Sequence, residues 1–169
     1  MPKSTLVLGI VFALLLTLAG LFLLGGTLSA QVEAVTASAS DYPAALESIR
    51  EIVEGGQAPQ YFDEPLPADA AQCQLENVTI TLSNRGLIDA EWLSVTVDGA
   101  PGDIAVYSIS GESDTVAART LGTLNLKLIS LKSGAGSRVY HVEYYVYGMK
   151  RTLAVTQDRR QDTQNAKEQ

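Results

Sequence analysis

Cysteine and histidine are almost absent from this chain, which has one residue of each among 169. A single cysteine, Cys73, excludes an intramolecular disulfide, and a single histidine, His141, excludes a zinc site built from several histidines. Basic residues are scarce between residues 33 and 114, where fifteen acidic residues occur against two basic ones. No basic stripe with interleaved aromatic residues is present, so we do not expect binding to nucleic acid.

Motifs for catalysis or metal binding are also lacking. The sequence places no nucleophile beside His141, although Glu143 shares its strand face. Six acidic residues lie in or near predicted inter-strand loops, but their spacing matches no ordered calcium loop: Asp89, Glu91, Asp98, Asp103, Glu112 and Asp114. Aspartate is favoured in turns without any metal. We therefore expect neither an enzyme nor a cofactor.

The chain does have one long apolar run, which begins at Leu6, ends at Leu24 and has Thr17 as its only polar side chain. As a helix it would cover roughly the ~30 Å hydrocarbon core of a bilayer. Residues 1–26 are therefore predicted to be a transmembrane signal anchor with the lipid bilayer as partner. The amino terminus would be cytoplasmic and the rest of this single-pass membrane protein extracytoplasmic.

The alternative is a secreted protein whose signal peptide is cleaved near Ala30. The apolar run is longer than the usual signal-peptide core of about 7–15 residues. Leu28 is also a poor residue at a position where a small one is preferred. Both features favour the permanent anchor.

Small residues recur in the apolar run at Gly9, Ala13 and Thr17, four positions apart. This spacing lets two membrane helices approach closely, so the three residues form a possible transmembrane association surface. Glycine and alanine are also common in membrane helices that do not associate. The pattern therefore leaves both interpretations open.

Two segments of different character follow the run. Residues 27–40 are rich in Ala and Ser with weak periodicity and are predicted to be a spacer. Residues 41–56 predict an amphipathic helix that Asp41 caps and a glycine pair ends. Its apolar face needs a cover, which is the protein's own sheet or, alternatively, another copy or another protein.

Residues 57–74 contain three prolines and three acidic residues and are predicted to be a linker. Residues 75–156 then alternate between apolar and polar side chains in about seven short segments separated by turn residues. This pattern predicts a mainly β fold, an antiparallel sandwich, with a weak fourth strand at residues 115–120. The polar residues 157–169 are predicted to be a disordered tail.

Two stretches carry a resemblance to known modules. The sequence NVTITLSNRGLIDAEWLSVTVDG, which starts at Asn77, resembles the early strands of water-stress (WHy) late-embryogenesis domains and of bacterial adhesion-type sandwich modules. VEYYVYG resembles the tyrosine-rich penultimate strand of fibronectin type III modules, where a tyrosine hydroxyl ties down a neighbouring loop. Tyr140, Tyr144 and Tyr145 are the candidates for that role here. The resemblance implies an immunoglobulin-like sandwich and says almost nothing about activity.

We expect a non-catalytic structural, adhesion or assembly role in the cell envelope, with another envelope protein or a second copy as partner. The possible interaction surface consists of Trp92, Tyr140, Tyr144 and Tyr145. The alternative function is a module that binds carbohydrate, lipid or Ca²⁺ at the membrane surface. The sequence leaves open whether Asn77, which begins a glycosylation sequon, is modified. Cys73 is expected to be buried or inert rather than paired with a second copy.

Overall fold

A computed structural model describes residues 3–24 and 28–158. Its helices are α1 (Lys3–Leu24) and α2 (Pro43–Glu54). Its strands are β1 (Leu28–Ser38), β2 (Gln60–Tyr61), β3 (Cys73–Asn84), β4 (Glu91–Asp98), β5 (Asp103–Gly111), β6 (Leu121–Leu131), β7 (Ser137–Val146) and β8 (Met149–Asp158). Two short 3-10 helices, Ala39–Asp41 and Ala70–Gln72, precede α2 and β3.

The strands form two antiparallel sheets, one in the order β1-β3-β6-β5-β2 and the other in the order β4-β7-β8. Inward-facing side chains of both sheets meet in one core, as Val78 and Leu126 from the larger sheet and Val142 from the smaller one illustrate. This arrangement confirms the predicted mainly β antiparallel sandwich, with eight strands among the described residues. It is consistent with the immunoglobulin-like class at the level of pattern.

The sandwich has two ends that the chain builds differently. The end at which β1 begins is called the near end. It also contains the loop of residues 85–90, the start of β6 and the turn at Tyr147 and Gly148. The far end contains the start of β3, the loop of residues 99–102 and the start of β7. Strand β1, which begins at the near end, is the next element after α1 in the chain.

Strand β1 corrects the predicted spacer at residues 27–40. Its eleven residues pair with β3 from Leu28 opposite Asn84 to Ser38 opposite Gln74. Alternate residues pack against the core, among them Ala30 and Val32. Because alanine has low β propensity and buries little area, the period of two is weak in the sequence. The sandwich therefore begins at residue 28 rather than at residue 75.

The amphipathic helix predicted at residues 41–56 is present as α2. Its N-cap is Tyr42 rather than Asp41, which belongs to the preceding 3-10 helix. Leu46 and Ile49 are buried in a second apolar cluster with residues of the larger sheet, including Ile129. The protein's own sheet therefore covers α2, and it does so on the face opposite the first core, since Ile129 and Leu128 point to opposite sides of β6.

Three other predictions are wrong in part. Residues 115–120 form no strand and contribute only one isolated bridge, between Val116 and Ala90. The predicted linker at 57–74 contains β2, which pairs with β5. The predicted tail begins too early, because Gln157 is a buried residue of β8. Its remainder from residue 159 onward lies outside the described residues.

Helix α1 covers the apolar run predicted from the sequence. The side chains described for it are solvent-exposed on all sides, among them Leu8, Phe12 and Leu15. Within residues 3–24 and 28–158, no helix is long and apolar enough to cross a membrane. The transmembrane span predicted at residues 6–24 is thus not supported by the structure.

Candidate interaction surface

Trp92 is the most exposed large apolar side chain outside α1 in the described chain, with 72% of its surface accessible. It occupies an irregularity in β4, where the register with β7 shifts between Glu91 and Ser94. Its φ of 58° lies in the left-handed region, which is unfavourable for a bulky residue. Such strain persists only where the surroundings impose it and is common at functional positions. The alternation of β4 already indicated that Trp92 faces outward.

Trp92 and Tyr145 are brought together, as the sequence predicted for an interaction surface. Tyr145 is opposite Glu91 in the β4–β7 register, and these three residues line a shallow pocket with Gly148. The pocket has a volume of about 390 Å³ and is almost entirely apolar. The role of Trp92 and Tyr145 in binding stays a prediction.

Tyr140 and Tyr144 are not part of this surface, because both are buried in the core between the sheets. They alternate with Tyr145 along β7 and so point to the opposite face. The Tyr140 hydroxyl donates a hydrogen bond to Gln157 Oε1 at 2.7 Å. It therefore ties β7 to the adjacent strand β8 rather than to a loop. Burial raises the pKa of Tyr140 to about 12.

Four further apolar side chains are exposed at the near end, and the sequence pattern does not indicate them. They are Leu87, Leu121, Tyr147 and Met149. Each lies in a loop or turn or at the first residue of a strand, where apolar periodicity gives no information about exposure. Only the strand pairing shows that they share one end of the sandwich with Trp92.

A buried asparagine holds the near end together. The Asn84 side-chain amide donates to the carbonyl oxygens of Ile88 at 2.8 Å and Val116 at 3.0 Å. Its Oδ1 accepts a hydrogen bond from the backbone N–H of Gly86 at 3.0 Å. Asn84 thereby connects the end of β3, the loop that follows and the segment before β6. The exposed apolar side chains are thus carried on a well-connected end.

A second polar cluster is buried at the far end, around Arg138. Its Nε donates to Asp103 Oδ2 at 2.7 Å and its Nη2 to Glu76 Oε1 at 2.9 Å, and two further hydrogen bonds complete bidentate pairing with both carboxylates. Ser130 Oγ donates to Glu76 Oε1 at 2.8 Å, and the Ala100 N–H donates to Asp103 Oδ2 at 2.7 Å. The cluster joins β3 and β5 of the larger sheet to β7 of the smaller one.

The side chains of Arg138, Glu76 and Asp103 are at most 1% exposed. Their ion pairs are therefore buried and connect the two sheets. Burial by itself would lower the pKa of Arg138, but hydrogen bonds and charge from Asp103 and Glu76 raise it instead. Arg138 therefore stays charged throughout the accessible pH range. A site without access to solvent offers no route for a substrate.

The other candidate chemical groups are dispersed. His141 Nε2 lies 2.8 Å from Asp98 Oδ2 on the outer face of the smaller sheet, so its partner is Asp98 rather than Glu143. Glu143 pairs with Lys150 at 2.8 Å, and its hydrogen bond raises the pKa of Lys150. In the described part of the chain, no three histidine, cysteine or acidic side chains lie close enough to share a metal ion.

Two remaining sequence features have definite places. Cys73 is fully buried beneath α2, which confirms the expected burial, and burial raises the pKa of its thiol. In α1, Thr17 Oγ1 donates to the carbonyl oxygen of Ala13 at 2.8 Å, and the space beside Gly9 is open. Whether Gly9, Ala13 and Thr17 contact a second helix stays a prediction.

Comparisons with known proteins identify no relative by sequence, since no protein-family model and no curated protein matches the chain. Solved structures with a similar arrangement include the GAE domain of yeast GGA1 (P21), with 9% identity, 59% of this chain and 98% of that chain covered, and a TM-score of 0.38. The GAE domain of GGA2p from Saccharomyces cerevisiae is similar at 10% identity, with 59% and 96% of the chains covered and a TM-score of 0.36. At these identities and TM-scores, the two structures carry no information about the function of this chain.

Proposed function

We propose that this protein is a membrane-tethered, non-catalytic β-sandwich with a structural or assembly role at the cell envelope. The observation that carries the proposal is the place of β1. It starts at Leu28, only three residues separate it from the end of α1 at Leu24, and it pairs with β3 over its full length. A sandwich attached this closely to an apolar helix can lie only a short distance from whatever contains that helix.

The tether itself is supported by the sequence of residues 6–24 and by the exposed apolar side chains of α1. An apolar helix that no described residue of the chain covers is expected to need an apolar environment. Cleavage near Ala30 is disfavoured, because Ala30 is paired with Leu82 inside β1 and its side chain packs against the core. Removing the residues before it would shorten an integral strand.

Membrane fractionation tests the tether. The full chain with a carboxyl-terminal tag is expected to stay with membranes after alkaline carbonate washing and to float with them in a density gradient. The matched control replaces Leu15→Arg and Leu18→Arg, which places two charges in the apolar run and should release the protein. Release of the unaltered chain by carbonate would refute the tether. Digestion of the tag by protease added to intact cells would support an extracytoplasmic location of the sandwich.

The proposed partner is another envelope protein or a second copy, and the far end is the surface that a tether at the near end leaves accessible. It carries an open cleft of about 570 Å³ between residues 60–64 and 97–103, with Asp63, Glu64 and Asp98 in its lining. Crosslinking in intact membranes followed by mass spectrometry tests this arrangement. We expect crosslinks at far-end residues, and crosslinks confined to the near end would contradict it.

A further inference from the structure

Exposed apolar side chains are concentrated at the near end. Outside α1, nine large apolar side chains of the described residues are exposed, and five of these lie at the near end: Leu87, Trp92, Leu121, Tyr147 and Met149. Single exposed apolar residues are normal on any protein surface and need no explanation. Five such side chains at one end of a small sandwich, with Trp92 and Leu121 about 70% exposed, are an uneven distribution that needs an explanation.

The covalent link to α1 limits where this end can be. Only residues 25–27 separate Leu24 from Leu28, and four peptide steps span at most about 14 Å. The headgroup region on each side of a bilayer is about 5–8 Å thick. If α1 lies in a bilayer, as the proposed function holds, the near end is therefore kept within reach of the lipid interface.

The residue types at the near end suit that interface. Tryptophan and tyrosine concentrate where membrane meets water, because each combines an apolar ring with one polar group. Trp92 and Tyr147 are of this kind, and Leu87 and Leu121 supply aliphatic groups. We propose that the near end of the sandwich rests on the bilayer that holds α1, with Trp92 inserted at the level of the lipid headgroups; this proposal depends on the proposed tether.

The charges at the near end determine which lipids should matter. Arg85 and Arg119 are basic, but Asp89, Glu91 and Asp114 lie among them. Because the two signs are mixed, anionic lipid offers no net electrostatic gain. Apolar insertion therefore provides the attraction, and the contact should form equally with zwitterionic and anionic lipids and at low and high salt.

Trp92 is the only tryptophan in the chain, so its fluorescence reports on this position alone. The full chain is reconstituted into phosphatidylcholine vesicles, with and without bromine atoms on the lipid acyl chains near the headgroup. Bromine quenches tryptophan only at short range. We expect brominated vesicles to reduce Trp92 emission at least twofold, and aqueous iodide to quench it less in vesicles than in the urea-unfolded chain.

The matched control moves the probe to the far end. Tyr42 is exposed and follows the far end of β1, about 35 Å from its start. In the double variant Trp92→Phe and Tyr42→Trp, brominated lipid should leave the emission unchanged and iodide should quench it. Vesicles with one third anionic lipid should give the same result for the unaltered chain.

The outcomes separate this proposal from the tether. A chain that does not float with the vesicles refutes both. A chain that floats, but whose Trp92 is quenched by iodide and not by brominated lipid, refutes only the lipid contact. Trp92 shielded from both quenchers means that a protein or second copy covers the near end, which also overturns the lipid contact. Equal quenching by brominated lipid at Trp92 and at a tryptophan in place of Tyr42 would also overturn the lipid contact.

Discussion

At the scale of single residues, the buried ion pairs of Arg138 show how this sandwich joins its sheets. A buried charge loses its hydration, and the two carboxylates offset that loss only because every donor of the bidentate pairs is well placed. Such a cluster adds little net stability compared with a well-packed apolar one. Removing one partner is different, because it leaves the remaining charges buried without their counter-charge.

Arg138→Met is therefore expected to lower the free energy of unfolding by about 3–5 kcal/mol. The variant leaves Glu76 and Asp103 buried with no cation between them. Urea unfolding followed by circular dichroism measures the change. Arg151→Met, on the neighbouring strand and partly exposed, is the matched control and should cost less than about 1 kcal/mol. Equal effects of the two substitutions would contradict a joining role for Arg138.

Tyr140 predicts a pH dependence with a definite sign. Its pKa is about 12 in the folded state, against about 10 in the unfolded chain, so folding favours the protonated hydroxyl. This stabilisation is complete below pH 10 and is lost as the pH rises from 10 to 12. A difference of two pKa units corresponds to about 3 kcal/mol. Urea unfolding at a series of pH values between 9 and 12 measures the free energy of unfolding. This free energy should fall less steeply with pH for Tyr140→Phe than for the unaltered chain. Parallel curves for the two proteins would contradict a raised pKa of Tyr140.

The sequence contained part of the information about these residues. Glu76 has the same parity as Val78 and Ile80 in β3, and Arg138 has the same parity as Tyr140 in β7, so alternation alone directs both charges inward. That the two meet could not be derived, because it depends on which ends of the sheets face each other. Asp103 follows a turn, where periodicity gives no direction, so its sequence context indicates only an ordinary loop acid.

At the scale of elements, β1 is the largest departure from the sequence-based interpretation. Its inward positions are filled mainly by small residues such as Ala30 and Ala34, which pack against the core but produce a weak apolar period. Its partner β3 begins 35 residues after β1 ends. A strand whose stability comes from such a distant partner leaves little local signal in its own sequence.

Removing β1 should unfold the sandwich. A fragment of residues 28–158 is expected to fold, whereas one of residues 39–158 would expose one edge of β3 and the core beneath Val32. Circular dichroism and resistance to limited proteolysis distinguish the two fragments. Comparable protease resistance in both would show that β1 is dispensable, and the domain boundary would then lie after residue 38.

The contact between α2 and the larger sheet is expected to contribute to stability as core packing does. Ile49→Ala removes a buried side chain from the second apolar cluster and should cost about 2–4 kcal/mol. Glu51→Ala, on the exposed face of the same helix, should change the free energy of unfolding by less than about 0.5 kcal/mol. Urea unfolding measures both, and a small effect of Ile49→Ala would mean that α2 is only loosely attached.

At the scale of the whole molecule, the fold class was predictable because it depends on alternation within each strand. That information is local and survives an error in any one element. The order of strands, the assignment of β1 and the presence of Trp92 and Leu121 at the same end of the sandwich depend on long-range pairing. A single sequence does not show which distant strands pair. Exposed residues could therefore be predicted only from the alternation within one strand, as for Trp92.

The larger sheet serves two apolar cores, one toward the smaller sheet and one toward α2. Because both cores share β3, β5 and β6, we expect the sandwich and α2 to unfold in one cooperative transition. Cys73 tests this, since it is fully buried in the core beneath α2 and its raised pKa further suppresses reaction at neutral pH. Labelling by a thiol reagent should be slow in the native protein. Across a urea series it should become rapid at the same midpoint at which the β-sheet signal in circular dichroism is lost. Labelling at clearly lower urea would mean that α2 detaches first and that its core is a separate unit of stability.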